Sequence, residues 1–129
     1  MNSYSADQTP ISAEWLGTSE AERMRLILSF HVSIKTHGPN LKGHCAIHCI
    51  VENQIAQGYG PSKKALTRLI EEGLSRHEAI HAIGSVNAAF SLGLIRNPKL
   101  INSAELHRKL NEGIEGLTAE SWRGKIESQ

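Results

Sequence analysis

Aromatic residues are scarce in this 129-residue sequence, at 5% of the chain. No stretch of four residues alternates apolar with polar between turn clusters, so strand signals are weak and a sheet is not expected. Cysteine is limited to Cys45 and Cys49. Two residues four apart within one helix cannot form a disulfide framework and are poorly placed to bridge each other, which fits a reducing compartment. Neither sign of charge dominates: 14 basic against 13 acidic residues leave a net charge of +1. That balance offers no electrostatic footprint for nucleic acid or an anionic membrane. The opening "MNSYSADQTP" has neither a basic region nor an apolar run, so no leader is read there. No uninterrupted apolar run approaches the roughly 18 residues of a membrane span. A cytoplasmic protein is the expectation, with no internal repeat and no low-complexity tract.

Helical patterning is plentiful. Residues 1–17 read as a flexible polar arm, with Trp15 and Leu16 tacking its end onto the core. Ser19 and Glu22 form a capping-box pattern that starts a helix ending near Lys35 to Gly38. Its inner face is Met24, Ile27, Leu28, His31 and Ile34. A second helix runs from about Leu41 to Gln57, closed by Gly58 and Gly60. A third spans about Ser62 to Glu72, with Leu66, Leu69 and Ile70 inward and Gly73 as its C-terminal cap. A fourth starts at Ser75 and reaches about Leu94, before a turn at Asn97-Pro98. A fifth, about Ser103 to Glu112, has Asn102 as its cap. The tail, residues 113–129, reads as only partly ordered, with Leu117 and Trp122 as docking points. The prediction is an all-α bundle of four to five helices over residues 18–112, with flexible N- and C-terminal arms. Self-association is compatible with a bundle of this size.

The chemistry lies in the histidines, seven in all. In "GHCAIHCIVENQIAQG", His44, His48 and Glu52 recur every four residues. Four residues turn a helix by about 400°, so the three side chains share one face. In "GLSRHEAIHAIG", His77 and His81 repeat the spacing. The intervening third helix lets the chain double back, so the two rows can face each other and converge, as ligands do in bundle metal sites. Without a cation, each buried ring nitrogen would need its own partner. Imidazole with carboxylate suits a divalent transition metal: zinc or iron foremost, nickel or manganese as alternatives.

The string His77-Glu78-Ala79-Ile80-His81 is also the HExxH pattern of zinc peptidases, with Glu78 as general base. Against that, Ser75 and Glu78 form a capping box, which accounts for the glutamate without catalysis. The hydrolase reading also needs a third ligand, for which Glu105 is the downstream candidate, and a sheet edge that the sequence does not offer. A third reading is a metal-free interaction module whose histidines pack or form a pH-sensitive network. His31 sits on an apolar stripe and reads first as a core residue, with a ligand role as the alternative. His37 ends a helix, where a cation suits the dipole, and could reach a site near His44. His107 reads as surface. Cys45 and Cys49 read as small buried fillers; as ligands they would indicate a soft metal. Gln54 is a candidate to orient a ligand.

"HCAIHCIVENQIAQG", followed after a short helix by "GLSRHEAIHAIGSV", resembles the bacterial family called domain of unknown function 1841. The likeness rests on His44, His48, Glu52, Gln54, Pro61, His77 and His81, and covers roughly residues 43 to 95. It implies a five-ligand site of His44, His48, Glu52, His77 and His81, and a lesser role for Glu78. It implies no reaction and no substrate.

Overall fold

The computed structural model of the chain describes residues 1–35, 40–96 and 103–127. Among the described residues there are seven helices and no strand. The all-α expectation holds, and the count of four to five is too low. The helices are α1 (Ser12–Gly17), α2 (Glu20–Ser33), α3 (Leu41–Ala56), α4 (Gly60–Glu71), α5 (Arg76–Arg96), α6 (Ser103–Glu115) and α7 (Ala119–Glu127). The two additions, α1 and α7, fall in the segments expected as loose arms.

Both arms are tied to the bundle by polar groups that no local pattern announces. The α1 turn has no side-chain N-cap, but Trp15 is fully buried and its indole N–H donates to Asn53 Oδ1 at 2.9 Å. Arg23 on α2 donates to the carbonyls of Trp15, Leu16 and Thr18 at 2.8–2.9 Å, satisfying acceptors that end α1. Tyr4 and Ala6, ahead of α1, are buried as well. At the other end, Thr118 and Ser121 cap each other across the start of α7. Glu72 accepts from Ala119 N–H at 2.8 Å, and Arg123 donates to Gly73 O at 3.0 Å. Leu117 and Trp122 pack against the core, as expected of them.

The central helices begin and end where the sequence indicates. Ser19 Oγ accepts from Glu22 N–H at 3.2 Å; the Glu22 carboxylate does not complete the box, because it pairs with Arg25. Asn40 caps α3 through Gly43 N–H. The expected turn at Gly73 is a Schellman motif: Gly73 N–H bonds to Ile70 O and Leu74 N–H to Leu69 O, at 3.0 and 3.1 Å. Gly73 has φ +106°, which explains glycine there. Leu66 and Leu69 are buried as predicted, while Ile70 is 41% exposed; likewise Ile27 and His31 are buried on α2, while Leu28 and Ile34 are exposed. His37, Asn97-Pro98 and Asn102 lie outside the described residues.

α4 carries the chain back from α3 to α5, and these two helices touch where His44 meets His81 and, farther along, where Gln54 meets Asn87. Gly84 sets how closely the two helices approach: a Cβ there would lie 2.9 Å from Ile47 Cγ2. On one side of α3 a cluster containing Val51, Leu69, Ile80, Ile83 and Ile114 joins it to α4–α7. On the other, Tyr4, Trp15, Leu26, Ile27, Cys45 and Cys49 form a second cluster. The cysteines are therefore core fillers in the fold, both buried and unbridged. Although its apolar run is interrupted, α5, at 21 residues, is long and apolar enough by length and composition to cross a membrane. A core helix meets the same test, and α5 packs against α3, α4 and α6.

Candidate metal centre

Three helices meet around five histidines. α2 supplies His31, α3 supplies His44 and His48, and α5 supplies His77 and His81. One ring nitrogen from each lies within 4.8 Å of all the others. The two expected pairs do face each other: ring centroids are 4.5 Å apart for His44–His81 and 5.5 Å for His48–His77. His31, read first as a core residue, is both buried and a member of the group. Phe30 closes one side, with its ring edge-on to His31 and His77.

Hydrogen bonds fix the tautomers of His31 and His48. The carbonyl of Ile27 can only accept, so the 2.8 Å contact from His31 Nδ1 places a proton on Nδ1 and leaves Nε2 as a lone pair. That lone pair faces His44 Nε2 at 3.2 Å. Two ligands of a tetrahedral zinc with bonds of about 2.0–2.1 Å are about 3.3 Å apart, so this spacing suits a shared cation. Tyr4 donates its hydroxyl proton to Glu52, so its 2.7 Å contact with His48 Nε2 makes that nitrogen the donor. His48 Nδ1 is then a bare lone pair.

Glu52 does not join the group of clustered nitrogens. Arg76, the residue before His77, holds it with two hydrogen bonds of 2.8 and 2.9 Å, both residues being buried. The row of four-residue steps does place Glu52 beyond His48, but its nearer oxygen is 4.0 Å from His48 Nε2 and already accepts from Tyr4. The result is a chain: Arg76 holds Glu52, Glu52 orients Tyr4, and Tyr4 orients the His48 ring. Outer partners of this kind set the direction and basicity of a ligating imidazole. Glu52, expected as a ligand, lies outside the group of five histidines and is held by Arg76 and Tyr4.

Burial governs the protonation of the cluster. Burial pushes His48 down to about 2, with the neighbouring imidazoles of His31, His81, His77 and His44 adding to the shift. His81 is pushed down to about 3 by burial and then by His77, His44 and His31. His44 and His77 are lowered for the same first reason. Neutral rings are the form that binds metals. Yet three buried nitrogens, His48 Nδ1, His77 Nε2 and His81 Nε2, have no hydrogen-bond partner among the described residues.

Glu78 faces a different task. Its carboxylate accepts from Ser75 N–H at 3.3 Å, while Ser75 Oγ accepts from Glu78 N–H at 3.0 Å. This is the complete capping box expected from the sequence, on exposed residues. Glu105 is no member of the cluster and lies 3.7 Å from Arg108. His107 is exposed, as expected. Gln54 does not reach a histidine: it donates to Asn87 at 3.0 Å and accepts from Ser62 at 2.7 Å, tying α3, α4 and α5 together farther along.

Fold and site together define a class: an all-α bundle with a cluster of five buried or half-buried histidines at a junction of three helices. No protein-family model, curated protein or solved structure matches the chain.

Proposed function

We propose that this protein binds one divalent transition metal through His31, His44, His48, His77 and His81, with Tyr4, Glu52 and Arg76 as the supporting chain. The observation that carries the proposal is the set of three buried ring nitrogens without partners. An unpaired buried polar group costs about 1–3 kcal/mol, and a single cation accepts all three lone pairs at once. Ligands around an ion with bonds of about 2.1 Å lie at most about 4.2 Å apart. The 4.8 Å limit on the cluster is within a small side-chain movement of that. An all-nitrogen donor set favours zinc or iron, with nickel next; manganese, which prefers oxygen, loses the support Glu52 gave it. Membership of domain of unknown function 1841 remains part of the proposal, with His31 added to the histidines of its motif.

The reading as a hydrolase through Glu78 draws no support from the geometry, because that carboxylate is engaged with Ser75 N–H. The test is elemental analysis of protein made without a histidine tag. About one equivalent of metal is expected, and His31→Ala should lose most of it. Stripping the metal should lower Tm by roughly 10 °C, the scale set by a ligand present at about a thousand times its Kd in a domain of this size. A protein that takes up no metal after reconstitution with zinc or ferrous iron would overturn the proposal.

A further inference from the structure

We infer that the metal centre is open on one side, and that this side is a binding site for a small monoanion with an apolar body, a carboxylate being the type. The inference rests on the metal-centre reading. A cleft of ≈ 670 Å³ runs between α3 and α5, and His44, His48 and His81 are in its wall. Ligand pockets commonly span about 300–1,000 Å³. A purely structural site would be closed by protein on every side.

The lining sets the chemistry of the occupant. No Lys, Arg, Asp or Glu is among the described residues that line the cleft; Ile47, Ile80 and Ala88 give it an apolar surface. Five neutral imidazoles leave a divalent ion with its whole charge in a buried setting, where an uncompensated charge is costly. Glu52 does not supply the compensation, because Arg76 already holds it. An anionic head reaching the metal does. The apolar walls accept the rest of the molecule. Trp122 adds a directed contact: it lines the same cleft, and its indole N–H is buried with no acceptor. A carboxylate, or a second acceptor on the ligand, can take that proton.

The test uses the full chain loaded with cobalt(II), whose visible spectrum reports coordination. Benzoate should perturb the spectrum and bind roughly tenfold tighter than acetate, because its ring enters the apolar cleft. Benzyl alcohol, with the same ring and no charge, should leave the spectrum unchanged. Ala88→Phe should fill the cleft and weaken benzoate roughly tenfold, and Trp122→Phe should weaken it several-fold. Both variants should keep the parental cobalt content. A cobalt protein whose spectrum ignores both carboxylates, or binds them equally well with and without Ala88→Phe, overturns the open-site inference and leaves the metal reading standing. Failure to bind cobalt overturns both.

Discussion

The interface between α3 and α5 has two polar ends, and they are satisfied to different degrees. At one end, Gln54, Asn87 and Ser62 form a buried network in which each side chain finds a partner, Asn87 also donating to Ile83 O at 3.2 Å. At the other, the histidines are buried or half-buried, and three of their buried nitrogens have no partner among the described residues. The same two helices accommodate both. A helix pair that satisfies one polar cluster so fully has no packing reason to leave the other incomplete. The difference is what supports the proposed metal at the histidine end.

The largest expected effect comes from breaking the support of the histidine end. Arg76→Ala leaves the buried Glu52 carboxyl without its cationic partner, which should cost about 3–5 kcal/mol. It should also weaken metal binding by about 10–100-fold, since the orientation of His48 depends on the chain through Tyr4. Asn87→Ala at the other end should cost about 1–3 kcal/mol, with metal affinity unchanged. Denaturant melts and metal titrations on the two variants check the contrast. Equal losses of metal affinity would show that the two ends act as one unit, and the comparison would collapse.

A smaller effect separates the ends by pH, in the metal-free protein. His48 and His81 have folded pKa values pushed down to about 2 and about 3, against 6.5 for free histidine. Above pH 6.5 both states carry neutral rings and nothing is lost. Below it the unfolded chain takes up protons that the folded rings refuse, so stability falls as pH drops, a loss that ends only near the folded values. The urea midpoint should therefore decline between pH 7.5 and 5, a window in which most carboxylates do not titrate. His81→Gln should flatten the decline, whereas Asn87→Ala should leave its slope alone. A parental midpoint that is constant over this window would contradict the burial of neutral histidines.

These contrasts also show what was readable from the sequence. His44, His48, His77 and His81 were legible because a four-residue step fixes a common face whatever the tertiary structure. The cap at Ser75 and Glu78 was legible for the same local reason. His31 was ambiguous because it comes from a different helix and has no partner at helical spacing. Tyr4 was out of reach: it sits in a polar arm, 44 residues from His48. The pairing of Glu52 with Arg76 was not legible, because periodicity specifies a face and not which neighbour meets each position along it. The one available signal was Arg76, a charge one residue ahead of His77 at the start of an otherwise apolar helix. The α7 start was hidden because its cap pairs Thr118 with Ser121, outside the usual pattern that ends in Glu or Gln.

The smallest expected effect concerns Glu78, which lies in the sequence of the histidine end without belonging to its chemistry. If its carboxylate serves the α5 N-terminus, Glu78→Ala should cost on the order of 1 kcal/mol, and Ser75→Ala about the same. The two side chains cap each other's backbone N–H groups at 3.0 and 3.3 Å. Each single variant therefore removes part of the same unit, and the double variant should cost less than the sum. Metal content should match the parent in all three proteins, because neither residue offers an atom to the cluster. Urea denaturation with metal analysis on the four proteins makes the measurement. Strict additivity would mean that the two contacts act separately. A Glu78→Ala protein that has lost its metal would mean that the carboxylate reaches the imidazoles after all, and that the histidine end extends one residue further around α5.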